Sequence, residues 1–183
     1  MKFTKTRQLG VSLIEVLVAI LILSFGMLSL GAMLSFAVQL PKLSGYRATA
    51  ANLASDHIER IRANPQGFAT NLYSSALSYD ATNNTISLAD CTYPNCTPAT
   101  LATMDIAASR NAVRVNLPAG GMIVKCGATV CSKGTAGEIW IIWQEPDTFA
   151  ALSGAGNDNC PTEVTGTYTS PAPRCLYVRF KVE

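Results

Sequence analysis

From Val16 to Val38 the chain runs 23 residues without a charged side chain, rich in Leu, Ile, Val and Met. At 1.5 Å per residue that is about 34 Å of helix, enough to cross the hydrocarbon core of a bilayer. No other feature constrains the fold as strongly, because a helix with no polar side must lie in lipid or against other helices. Ahead of it stands a short leader with Lys2, Lys5 and Arg7, no acidic residue, and Gly10 at its end. That bias places the amino terminus in the cytoplasm and exports everything after Pro41. One carboxylate, Glu15, opens the apolar run. A carboxylate within a spanning segment costs roughly 2.5 to 3.5 kcal/mol at mid-bilayer and less near the interface, so it calls for a partner or a function.

Two other readings share this pattern. An ordinary secretory signal peptide also has a basic start and an apolar stretch, but here the stretch is too long, Glu15 interrupts its beginning, and no A-x-A site follows. A plain membrane-anchored protein stays open, since a glycine before a helix is not by itself a cleavage site. Charge excludes one broad class. The chain has 14 Lys and Arg against 12 Asp and Glu, and without the leader 11 remain against 12. A near-neutral mature chain does not bind nucleic acid or anionic lipid through net charge.

The string Gly10-Val11-Ser12-Leu13-Ile14-Glu15-Val16-Leu17-Val18-Ala19-Ile20 resembles the class III signal of type IV prepilins and pseudopilins. Its continuation through Leu28 to Gly31 resembles the PilV group of minor pilins. The resemblance is specific over Gly10 to Arg62. It implies cleavage by prepilin peptidase after Gly10 and methylation of the new terminus at Val11. It also implies a place in a priming complex near the filament tip. The partners it implies are other minor pilins, the major pilin, an inner-membrane assembly platform and a tip adhesin. The expected location is the inner membrane, in a single pass with the head in the periplasm, and later the pilus surface. Val11 stands where phenylalanine is commonest, and the apolar run has no proline of the kind that breaks the helix of many major pilins, which favours a minor subunit.

Glu15 has two physical readings. Ser12 and Glu15 have the spacing of a capping box, which would use Glu15 on its own helix. Alternatively, cleavage leaves a positive amine on Val11, and Glu15 of a neighbouring subunit neutralises it and sets the axial register. Small residues recur further along: Gly31 and Ser35 lie four apart, and with Ser24 they suit close approach of helices in lipid. Gly26 and Gly31 also loosen the helix, each by roughly 1 kcal/mol against Ala.

Four segments follow from these boundaries: a leader over 1–10, the apolar assembly half of the helix over 11–40, its amphipathic half over 41–64, and an exported head over 65–183. In the amphipathic half Tyr46, Ala50, Leu53, Ala54, Ile58 and Ile61 recur at helical spacing, with Asp56 and Arg60 paired at i,i+4. Pro41 is expected to kink or interrupt the helix, and Asn64-Pro65-Gln66-Gly67 to stop it. In the head, Val113, Val115 and Leu117 alternate with Arg114 and Asn116, and Leu176, Val178, Phe180 and Val182 alternate with Tyr177, Arg179 and Lys181. Both patterns predict half-buried strands. Met122 to Cys126 and Glu138 to Gln144 are further strands, the latter apolar on both faces and therefore central. Pro118 to Gly121 is expected to close a hairpin. Phe68 to Met104 reads as a loop region with at most a short strand at Thr85 to Leu88. The fold class is thus α+β, a long helix on a small antiparallel sheet, which is also the pilin-like architecture that the resemblance implies.

Cys91, Cys96, Cys126, Cys131, Cys160 and Cys175 all fall on the exported side, where disulfides persist. Many connectivities are open, sequential pairing foremost; a zinc site is the rival, at the edge of permitted spacings. No catalytic motif occurs, and no cofactor or metal is expected. His57, the only histidine, sits beside the charged face of its helix as a solvated or docking residue. Asn157-Asp158-Asn159 could offer oxygens to calcium but is more often a turn. Arg174, Tyr177, Arg179 and Lys181 form a charged sheet face, with DNA contact as the rival reading. The function expected is a minor pilin rather than an enzyme, with a type II secretion pseudopilin or a tip module for DNA or surfaces as alternatives.

Overall fold

The computed structural model describes residues 10, 12–80, 82, 84–127, 130–145, 158–168 and 172–182. In chain order they form α1 (Leu13–Ala63), α2 (Pro65–Ala69), α3 (Pro98–Asn116), β1 (Gly121–Cys126), β2 (Ala136–Trp143), α4 (Thr162–Thr165) and β3 (Arg174–Lys181). The chain divides after Lys42 into two units.

The first unit holds the apolar part of α1. The amides of Glu15 and Val16 donate to the Ser12 carbonyl at 2.9 and 3.3 Å, which starts the helix. Its large apolar side chains among the described residues are exposed from Leu13 to Leu40. Among the described residues this is the one helix long and apolar enough to cross a membrane. Its hydroxyls are satisfied internally: Ser24 Oγ donates to Ile20 O at 2.7 Å and Ser29 Oγ to Gly26 O at 2.9 Å. Of the two outcomes expected at Pro41, a kink or an interruption, the interruption does not occur, and α1 runs through it. Proline removes one ladder bond, and the turns on either side carry the helix past it.

In the second unit, from Leu43, the buried stripe of α1 is Ala50, Ala54, His57, Ile58 and Ile61. This is the amphipathic face read from spacing, and it joins one core with Phe68, Tyr73, Met122, Val124, Ile139, Ile141 and Trp143. Asp56 and Arg60 pair at 2.9 Å. The helix ends at Ala63, and Asn64 at once caps α2 by accepting from the Gly67 amide at 3.1 Å.

The sheet has the order β1-β2-β3, antiparallel throughout. β2 is central, as its two apolar faces require. Ile139, Ile141 and Trp143 enter the helix-side core. Trp140 and Ile142 face a second core with Tyr79, Ile123, Val164 and Cys175. There Trp140 Nε1 donates to Asn159 O at 2.9 Å, and Tyr79 and Tyr168 meet edge to face at 4.6 Å. β1 starts hard against the preceding stretch: a side chain at Gly121 would land on the Tyr79 backbone, so only glycine fits there.

Three expectations are corrected. Val113 to Leu117 is not a strand; Val113 and Arg114 are buried positions of α3, and Leu117 is its C-cap. Helix wins because Thr97 and Thr100 form a reciprocal capping box and Pro98 opens the first turn, which together fix nineteen residues as one helix. The stretch 68–104 is accordingly not all loop: the end of α2 and the start of α3 lie in it, and 85–88 has no strand. Pro118 to Gly120 therefore leads from α3 into β1 and closes no hairpin. Arg110 and Arg114 then reach from α3 to the main chain of the stretch before β1: Arg110 Nη2 donates to Ala76 O at 2.6 Å, Arg114 Nη1 to Asp80 O at 3.2 Å, and Arg114 Nη2 to Ser78 O.

Candidate assembly site

The amino-terminal constellation lies on the exposed start of α1. Gly10 is exposed, while leader residues 1–9 and Val11 lie outside the described residues. Glu15 shares with Val16, Ala19, Ile20 and Leu23 a shallow groove on the helix surface, whose floor is low because Ala19 is small. Apart from Glu15, no charged residue occurs between Arg7 and Lys42. A lone carboxylate on an apolar face attracts a cation strongly once water is excluded from around it. Downstream, a side chain added at Gly26 or Gly31 would touch nothing within 4 Å. Packing within one chain thus gives no reason for their small size. Ser24 is bonded within its own helix, and Ser35 Oγ accepts from Gln39 Nε2 at 3.0 Å.

A buried polar joint fixes the amphipathic half of α1 to α3. Tyr73 Oη donates to Asp105 Oδ2 at 2.6 Å, Arg60 Nη1 to Asp105 Oδ1 at 3.5 Å, and Asn64 Nδ2 to Tyr73 Oη at 3.2 Å and Pro98 O at 2.8 Å. Burial, aided by the bond to Asp105, holds the Tyr73 hydroxyl above its ordinary range. His57 is fully buried, with Nδ1 2.8 Å from Ser109 Oγ. Burial first, then the Arg60 charge, pushes it from 6.5 down to about 4; Asp56 pulls the other way, and Arg110 adds a lesser push downward. It packs between α1 and α3 as a docking residue and is not solvated. Sequence reasoning missed Tyr73 and Asp105, since both lay in or beside a stretch read as loop; the Thr97-Pro98 cap was the available signal for the helix that carries Asp105.

Arg174 does not belong to an outer charged face. Its side chain is only 12% exposed, and its Nε lies 2.7 Å from Asp158 Oδ2 and 3.7 Å from Glu145 Oε2 in an ion-paired cluster, while Arg47 reaches Asp158 Oδ1 at 3.4 Å. Asp158 is thereby committed to two guanidinium groups; Asn157 lies outside the described residues. Among the described residues no group of three or more His, Cys, Asp or Glu is placed to hold a metal ion. Cys91 joins Cys96, Cys126 joins Cys131, and Cys160 joins Cys175, with Cα separations of 5.4, 5.3 and 5.3 Å.

Residues 5–31 match the prokaryotic N-terminal methylation motif, and residues 32–107 match the family described as type IV pilin Tt1218. No curated protein and no solved structure matches the chain. A signal for processing, an uncovered apolar helix and a helix-on-sheet head together define a pilin-like protein made as a precursor. These two matches, over residues 5–31 and 32–107, make the chain similar to type IV prepilins and support a role as a pilus component.

Proposed function

We propose that this prepilin is a minor pilin of the PilV type, acting in the tip or priming complex that initiates pilus assembly. In this reading prepilin peptidase cuts the leader 1–10 after Gly10 and methylates Val11. Residues 11–40 hold the protein in the inner membrane, amino end in the cytoplasm, and later enter the filament; 41–64 dock the helix to the exported head 65–183. Other minor pilins, the major pilin and the assembly platform are the partners, with a tip adhesin as a further one. Ser24, Gly26, Gly31 and Ser35 give neighbouring helices room to approach. The head is structural, with no catalytic role.

Glu15 carries the proposal. It is the sole charge of the exposed apolar half of α1, five residues from the bond to be cut. The amine released on Val11 of a neighbouring subunit is a cation of the right charge at the right end of the helix. Glu15→Val is therefore expected to be cleaved and methylated like the parent, as intact mass and amino-terminal sequencing would report, yet to be missing from sheared pili. Parental levels of the variant in pili would overturn the assignment. A protein never found in pili but required for secretion would instead be a pseudopilin.

A further inference from the structure

The two edges of the sheet are finished differently. Along β1, the Ser75 amide donates to Val124 O at 3.0 Å, the Ser78 amide to Met122 O at 3.2 Å, and the Met122 amide to Ser78 Oγ at 2.9 Å, so a neighbouring stretch occupies that edge. β3 pairs with β2 along its whole length. Among the described residues, no main-chain hydrogen bond joins 175–181 to any segment other than β2. In a regular strand the alternate residues direct their N–H and C=O groups away from the paired neighbour, so the far side of β3 is a ladder waiting for a partner. Proteins commonly blunt such an edge with a proline, a bulge or a covering loop. β3 has no proline, and its register is unbroken from Arg174 to Lys181.

The side chains choose the occupant. Arg179 and Lys181 are exposed and lie on one face of β3, and among the described residues neither is ion-paired. Glu138, opposite Arg179 in the ladder, accepts from Tyr177 Oη at 3.0 Å. On the other face Leu176, Val178 and Phe180 belong to the main core. A second β3 is a poor fit: paired antiparallel about Arg179, the exposed cation of this face, it would set Arg179 against Arg179, and like charges placed opposite are destabilising. The geometry points to β3 as a docking edge for an extended acidic segment of a partner protein. That segment adds as a fourth strand, its carboxylates at alternate positions meeting Arg179 and Lys181 and its apolar residues between them continuing the core face. The inference concerns the head alone and holds whatever place the protein takes in a pilus.

The test uses the full chain in detergent and the peptide acetyl-Thr-Val-Glu-Val-Glu-Val-Thr-amide. Bound peptide is expected to slow hydrogen exchange of the outward β3 amides while leaving β1 unchanged. Arg179→Glu with Lys181→Glu is expected to weaken binding about tenfold or more, and the same peptide with lysine for glutamate to restore it on that variant. Arg179→Lys should keep binding and shows that the site tolerates substitution. Unchanged β3 exchange at the highest soluble peptide concentration overturns the proposal. So does equal binding of a peptide N-methylated at alternate residues, or of the charge-reversed variant; Arg179 and Lys181 would then be guards against strand pairing.

Discussion

His57 ties the stability of the head to pH. Its imidazole is held neutral by burial beside Arg60 and Arg110, and its proton affinity falls from 6.5 to about 4 on folding. The unfolded chain therefore binds the proton first, so its contribution is fully present above pH 6.5 and drains away as pH falls toward 4. The gap amounts to roughly 3 kcal/mol. Urea unfolding of the full chain in detergent at pH 7 and 4.5 should show a loss that is smaller in His57→Gln. The single histidine makes its ring resonance unambiguous, and titration near 6.5 in the folded protein would contradict the assignment. The burial of His57 was half legible, since its position falls within the Ala54-Ile58-Ile61 stripe; that it meets Ser109 was not, because Ser109 lay on a helix the pattern did not reveal.

That helix, α3, shows why an element can hide. Five residues with apolar side chains at 113, 115 and 117 satisfy strand alternation, but Val113 and Leu117 also lie four apart, so the pattern fits both periods. The buried positions Ala102, Asp105, Ser109 and Val113 do repeat at helical spacing. Two of the four are polar and one is alanine, so a hydrophobic pattern scarcely registers them. β2 and β3 were readable for the opposite reason: their buried positions hold Ile, Trp, Val and Phe. If the cap decides α3, Thr97→Ala should cost about 1 kcal/mol. The loss would appear as a lower urea midpoint at unchanged slope, and no change in midpoint would argue that packing alone holds the first turn.

At the scale of the molecule, the amino-terminal methylation motif could be read from sequence because it is local: a glycine, a carboxylate and an apolar run within thirty residues. The joint of Tyr73, Asp105 and Arg60 spans three distant stretches and needed the fold. The second core is covered mainly by irregular chain, tied in by Cys160–Cys175. A closed loop of about 15 residues contributes about 3 kcal/mol in the chain-entropy estimate. Cys160→Ser with Cys175→Ser should lose a comparable amount in unfolding measurements, whereas parental stability would show that the segment docks without its tie. The hold of Arg110 and Arg114 on the chain at 76, 78 and 80 has a different sequel. Both arginines grip carbonyl oxygens, which every amino acid supplies alike. Ala76 and Asp80 can therefore change without loosening that hold, whereas Leu77, Ser78 and Tyr79, which pack on the second core or bond Met122, are restrained together with the two arginines.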